Sequence, residues 1–483
     1  MVKSKHKVRQ SLFALLCLLM TIAVKASDHA KKLVVYEAPS GALLNDDYTV
    51  SVRQMNDKKW QEVPTHLIKV DEVREAKHNV ENSSMAYFDF EGEVEVSVTF
   101  NKGTINQARV RPLSYGIQSN VKGNTLTFRL VRPRNLSVEV NGDIFHNLLL
   151  FANPLVENIP NRKDPDVIFF DAGIHEFPDK VFKVPSNKTV YIAGDAILRG
   201  QILIDSVENV KVIGRGMVEH TVKMGVHISS AKNVLVEGIF TTQCATGGSD
   251  NVIIRNVKSV SYYGWGDGMN VFASNNVLFD RVFCRNSDDC TTVYATRKGF
   301  EGGCKNIRME NSTLWADVAH PIFIGIHGNT EKPDIIEDVF YKNIDILDHK
   351  EAQLDYQGCL AINAGDNNLI RNVHFEDIRI EDFRQGQLVN LRIFFNEKYC
   401  KAPGMGIENI VFKNVSYNGG GEELSMISGY NDERKIKKVV FQNLRINGKL
   451  ITDDMPAKPK WYKTGDMARI FIGEHVEGVT FIP

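Results

Sequence analysis

The chain lacks helical periodicity. Its longest helical candidate, Glu351 to Tyr356, is shorter than a stable helix needs, which excludes helical bundles and alternating α/β folds. It also lacks net charge, with 58 basic against 59 acidic side chains, so neither nucleic acid nor a strongly charged polymer is expected as an obligate partner. After residue 26 no apolar run is long enough to cross a bilayer, and no membrane span is expected. Six of the seven cysteines, Cys244, Cys284, Cys290, Cys304, Cys359 and Cys400, show no CxxC spacing. A zinc site is therefore not expected. Those six can pair in many ways, none selected by the sequence, and buried free thiols stand as an equal alternative.

What is present starts with a basic stretch, an apolar run from Leu12 to Val24, and Ala26 before Ser27. This is the pattern of a cleavable secretory signal over residues 1–26, and the mature protein is expected to be secreted or periplasmic. Leu15 and Leu16 precede Cys17, where a lipoprotein signal carries small residues, so lipid anchoring is disfavoured.

Residues 31–155 read as short alternating strands, among them KLVVYEA, YTVSVRQ and MAYFDFEGEVEVSVTF, the pattern of a β-sandwich. No chemistry is legible there. From residue 166 to 483 a loose repeat takes over. Its core recurs as NVIIRNV, NVLFDRV, NIRMENS, DVFYKNI, NVHFEDI, NIVFKNV and KVVFQNL, with starts 25, 30, 32, 34, 37 and 29 residues apart. In such units the alternating Val, Ile and Phe point inward, and an Asn at a recurring corner can stack coil to coil through its amide. The expected fold is all-β: a right-handed parallel β-helix preceded by a β-sandwich, with coils about 4.8 Å apart. The tail from Lys458 to Pro483 is expected to cover the open end.

The chemistry concentrates between Gly264 and Thr291. Asp267 sits between Gly266 and Gly268, and 21 positions later come the adjacent Asp288 and Asp289. Asp267 falls 16 residues after its repeat start, Asp288 falls 12 after the next, and His320 falls 14 after the one following. All four therefore belong on one side of three consecutive coils. Alone, Asp-Gly or Ser-Asp-Asp is turn chemistry. Together, stacked carboxylates cost free energy unless function uses them, which points to acid–base catalysis. Calcium binding is the rival, and the stretch offers few further oxygen ligands for it.

The stretches KVPSNKTVYIAGDAILRG, GDGMNVFASNNVLFDRVF, NSDDCTTVYA and AHPIFIGIHG resemble the clan of inverting β-helical glycoside hydrolases. That clan comprises the polygalacturonases of family 28 and the dextranases and isopullulanases of family 49. The resemblance begins near Asp166, and the preceding sandwich looks like the one in the dextranase family. It implies that Asp288 is the general acid, that Asp267 and Asp289 activate water, and that His320 matches the histidine of a Gly-His-Gly motif. It also implies inversion, for which acid and base usually stand roughly 6.5–9.5 Å apart.

Departures from the pattern bear on the substrate. Cys359-Leu360-Ala361-Ile362-Asn363 stands where polygalacturonases carry an Arg-x-Lys clamp for the substrate carboxylate. Trp265 and Asn270 replace polar and acidic residues of the family's Asn-Thr-Asp turn. Trp265, Trp315, Asn270 and Tyr263 are the expected substrate contacts, because an aromatic beside a cleavage site favours stacking on a sugar face. The implied activity is hydrolysis of α-glycosidic bonds in a polysaccharide or oligosaccharide, dextranase-like on a neutral α-glucan. Arg281, Arg285, Arg297 and Lys298 lie near the site and keep a pectin hydrolase as the alternative. A polysaccharide lyase or a non-catalytic glycan-binding β-helix represents the other classes; no Arg or Lys stands in the aspartate column to act as a lyase base. No metal or other cofactor is implied. The sequence carries no signal for oligomeric state or for endo against exo action.

Overall fold

Alternation between apolar and polar side chains builds both units of the protein. The computed structural model describes residues 33–74, 77–219 and 224–483. The expected signal segment, residues 1–26, lies outside the described residues. One sheet of the N-terminal sandwich runs Leu33–Val35, Lys77–Phe90, Asp143–Asn153, Arg134–Val140 and Ala108–Arg111, with His66–Arg74 paired to Lys77–Phe90. The facing sheet runs Gln61–Val63, Tyr48–Gln54, Val94–Phe100, Thr125–Leu130 and Asn120–Lys122. Between them Val50, Val52, Val96 and Val98 meet Phe88, Phe90, Leu148 and Leu150, all buried. Each such side chain contributes about 1.5–3 kcal/mol when taken fully out of water.

From Val167 to Ile482 the chain winds into one sheet of 30 strands among the described residues. It is a right-handed parallel β-helix, the hand taken by crossovers between twisted parallel strands. The repeat cores form one of its faces: Asp250–Arg255 pairs in parallel with Asn275–Asp280, which pairs with Cys304–Glu310, and so on to Ile436–Gln442. Inward positions stack like on like. Tyr341, Phe375, Phe412, Phe441 and Phe481 form a column of nearly parallel rings, with neighbouring centroids 5.6, 4.8, 4.7 and 4.7 Å apart.

At one corner Asn209, Asn233 and Asn251 each donate to the Asn one coil earlier, at 3.0, 2.9 and 2.7 Å. These corners have φ between 54° and 58°, a region that Asn tolerates better than most residues. That explains why the repeat starts on Asn.

The tail supplies the last rung itself: Ile470–Ile472 and Val476–Ile482 pair with Ser425–Ser428 and Ile436–Gln442. A short helix, Thr464–Ala468, packs beside that rung.

The sandwich lies along the side of the β-helix. Met85, Tyr87, Leu149 and Phe151 pack against Phe240 and Phe283. Three buried ion pairs lie in this seam, where an unpaired charge would be costly. Arg215 Nε meets Asp89 at 3.0 Å, Arg285 meets Asp317 at 2.9 Å, and Arg111 meets Glu381 at 2.7 Å. The six cysteines are free and buried. No helix among the described residues is long and apolar enough to cross a membrane.

Candidate active site

Strand register fixes where the acidic residues meet. Met269 pairs with Thr291 and Thr292 with Phe323. Asp267, Asp289 and His320 each stand two residues before strands Met269–Phe272, Thr291–Tyr294 and Ile322–Gly325. They therefore occupy equivalent positions on consecutive coils, about 4.8 Å apart, and Asp288 leads Asp289 by one residue. The glycines flanking Asp267 let its loop close on the next. A Cβ on Gly266 would lie 2.4 Å from Ser287 Oγ, and one on Gly268 would lie 2.4 Å from Asn286 Oδ1.

Each carboxyl has different neighbours. Asn270 Nδ2 donates to Asp267 Oδ2 at 2.5 Å. The Asp289 backbone N–H donates to Asp288 Oδ1 at 2.9 Å. Three donors converge on Asp289: Tyr294 Oη on Oδ2 at 3.1 Å, and the backbone N–H and Nδ1 of His320 on Oδ1 at 3.1 and 2.7 Å. On its other side His320 Nε2 lies 2.6 Å from the Tyr356 carbonyl, an acceptor only, so Nε2 carries a proton. The imidazole is stacked on Phe323 at 4.4 Å.

These surroundings shift the titrations of Asp288, Asp267 and His320. Burial, then the nearby charges of Asp267 and Asp289, hold the Asp288 carboxyl well above the ordinary range. Burial and the Asp289 charge raise Asp267 from 3.8 to about 7, opposed by Asn270, Lys298 and Arg297. For His320, burial pushes downward, but the adjacent Asp289 charge and hydrogen bond win and its affinity for a proton is raised.

The three aspartates open into a cleft of about 690 Å³. Its walls include Trp265, Glu351, Tyr356, Arg297, Lys298 and Lys398. Trp265 stands at the lip, 76% exposed, on a backbone with φ of 61°.

Other expected contacts are placed differently. Trp315 is 0% exposed, sandwiched between the guanidiniums of Arg285 and Arg111 at 4.1 and 5.1 Å. It holds the seam between sandwich and β-helix and does not reach sugar. Tyr263 is not among the residues around the cleft, and its carbonyl accepts from Ser287 Oγ at 2.5 Å. Asn270 is fully buried and serves Asp267. His320 is likewise buried behind Asp289 and, among the described residues, meets the cluster only through that side chain.

Several cleft residues carried no signal in the sequence. Tyr294 and Tyr356 sit at positions indistinguishable from core aromatics, and Glu351 and Lys398 lie in loops outside the repeat. His78 comes from the sandwich and also borders the cleft.

A family model described as "Glycosyl hydrolases family 28" matches residues 196–456, more than half of the chain. No curated protein sequence matches it. Among solved structures, Dex49A from Penicillium minioluteum superposes with a TM-score of 0.60 at 13% identity, covering 92% of this chain and 96% of that one. The family 28 exopolygalacturonase of Yersinia enterocolitica gives a TM-score of 0.48 at 11% identity, covering 80% and 96%. The first of these likenesses supports the fold.

Proposed function

Since the chain belongs to glycosyl hydrolases family 28 and is a glycoside hydrolase, we propose that Asp288 is its general acid and that Asp267 and Asp289 hold and activate the attacking water. The observation carrying this reading is the difference in hydrogen-bond partners within one cluster. Asp288 is held protonated by burial and two neighbouring carboxyls, as an acid aimed at a glycosidic oxygen must be. Asp289 accepts from three donors, which hold its carboxyl group in one orientation. With the proton given from one side and water delivered from the other, the bond breaks in a single displacement and the anomeric centre inverts. His320 fixes the Asp289 carboxylate in place and is a positioning residue.

The sugar is the finer question. Ala361 and Asn363 are both buried, which agrees with the missing Arg-x-Lys clamp and with a neutral α-glucan. The cleft nevertheless carries other cations, Arg297, Lys298 and Lys398, and the buried Arg297 Nε has no hydrogen-bond partner among the described residues. A glycan bearing carboxylates would pair with the three cations along the cleft, and this is the reading the geometry supports best. The neutral α-glucan is kept as a second reading on the strength of Trp265, whose exposed indole suits an uncharged sugar face. The basic and apolar start of the chain supports export to meet such polymers.

Reducing-sugar release from polygalacturonate, dextran and pullulan separates the readings. Release from polygalacturonate that falls at least about tenfold in Arg297→Ala supports the acidic substrate. Release from a neutral glucan alone, unaffected by that change, overturns it. An Asp288→Asn enzyme that keeps its activity overturns the mechanism.

A further inference from the structure

Within the sandwich, Ser84–Asp89 pairs with Leu148–Asn153, whereas Lys77–Ser83 pairs with Ile68–Arg74. The latter pairing leaves the sheet as a two-stranded arm about 20 Å long. Such a ribbon is marginal by itself, and this one is pinned to the β-helix at two of the coils that border the cleft. Lys350 Nζ donates to the Val73 carbonyl, next in sequence to the cleft residue Glu351. Lys69 Nζ sits 5.3 Å from the Tyr262 ring. A Cβ on Gly264 would lie 3.8 Å from His78 Nε2, which places that nitrogen beside Trp265 at the cleft lip.

His78 is oriented from behind. Its Nδ1 is hydrogen-bonded to Asp71 Oδ2; the side chain of Asp71 is 0% exposed and that of His78 is 48% exposed. With Nδ1–H directed at a carboxylate, the lone pair of the neutral ring stands on Nε2. The other oxygen of Asp71 is buried without a hydrogen-bond partner among the described residues. A buried carboxylate spent on a half-exposed histidine is costly as structure alone and reasonable as a device for aiming a ring.

Resting on the hydrolase reading above, we infer that the sandwich arm is a wall of the substrate cleft and that His78, aimed by Asp71, accepts a hydrogen bond from a hydroxyl of the sugar unit lying against Trp265. The N-terminal unit then contributes to substrate specificity directly. His78 contacts substrate, and Asp71 is a positioning residue.

Kinetics on oligogalacturonides and isomalto-oligosaccharides test this in the full-length chain. His78→Ala is expected to raise KM about tenfold, the effect of one lost neutral hydrogen bond, with kcat within about twofold, and to lower Tm because Asp71 loses its partner. His78→Gln, which keeps a polar atom near the Nε2 position, is expected to recover most of the loss, and Asp71→Asn to raise KM by about threefold. Binding of the same oligosaccharides to the Asp288→Asn protein, by calorimetry, should weaken by the same factor on adding His78→Ala. An active wild type whose KM is indifferent to His78→Ala overturns the inference alone. A loss of kcat in all three variants with KM unmoved overturns it too, since it marks a structural role. A wild type that cleaves neither oligosaccharide series, nor any polymer named above, overturns the hydrolase reading and this inference with it.

Discussion

Replacing Asp267 by Asn removes a buried negative charge that the fold tolerates for the sake of chemistry. The Asp267 carboxyl is raised from 3.8 to about 7 by burial and by the Asp289 charge. A carboxyl with a raised folded pKa binds its proton more tightly folded than unfolded. Its contribution therefore favours the folded protein fully at about pH 4 and below, and is lost as pH climbs from there through about 7. At about 1.4 kcal/mol per pH unit, that gap of about three sets an upper bound of about 4 kcal/mol. Asp267 is only partly covered, and solvent at the cleft reduces the effect to about 1–2 kcal/mol.

The amide oxygen introduced by Asp267→Asn would still accept from Asn270 Nδ2, so the substitution costs no hydrogen bond. An unfolding entropy of about 2 cal/mol/K per residue makes each kcal/mol worth about 1 °C in a chain of 483 residues. Asp267→Asn should then melt about 1–2 °C above wild type at about pH 8 and level with it at about pH 4, while losing at least about 10²-fold in kcat. Differential scanning calorimetry at stepped pH measures this. A Tm difference that does not change with pH, or a variant less stable than wild type at about pH 8, would refute the account of a carboxyl whose proton affinity the fold raises.

Three further outcomes follow from the same geometry. The pH profile of kcat/KM should fall below about 7 as Asp267 gains its proton, and a profile flat through that range would contradict its role as base. The residual activity of Asp289→Asn should show the acid limb displaced to lower pH, because the charge that raises Asp267 is gone; an unmoved limb contradicts that cause. Tyr294→Phe removes one of three donors to Asp289 and should cost about tenfold in kcat with little change in KM, read from steady-state kinetics. The two tryptophans should part company. Trp265→Ala should raise KM about tenfold without moving Tm, whereas Trp315→Ala should destabilise by about 3–5 kcal/mol in denaturant titrations.

Much of the fold was legible because solenoids repeat their reasons. Asn251, Asn276 and Asn306 mark corners with φ between 53° and 58°, and the Val, Ile and Phe that follow alternate inward at strand spacing, so periodicity alone exposed the coil. The aspartate column was legible for the same cause: Asp267 and Asp289 keep the same offset from strands that pair residue for residue. Aromatics were not, since a tryptophan at strand spacing gives no sign of which face it takes. Trp315 points into the seam between units, while Trp265, in a turn, points out. Residues brought in by packing between distant segments left no trace either. His78 is 189 positions before Asp267 and reaches the cleft because the arm of the sandwich docks there, which no local pattern encodes. The same holds for Lys398, carried by a loop whose length varies from coil to coil.

The most direct test of the central claim is the anomeric configuration of the first product, followed by proton NMR as the best-cleaved α-linked oligosaccharide is turned over. Single displacement predicts that the β-anomer appears first and mutarotates afterwards, and that the signal vanishes in Asp288→Asn. An α-anomer released first would contradict single displacement by this carboxylate cluster, and an unsaturated product would contradict hydrolysis altogether.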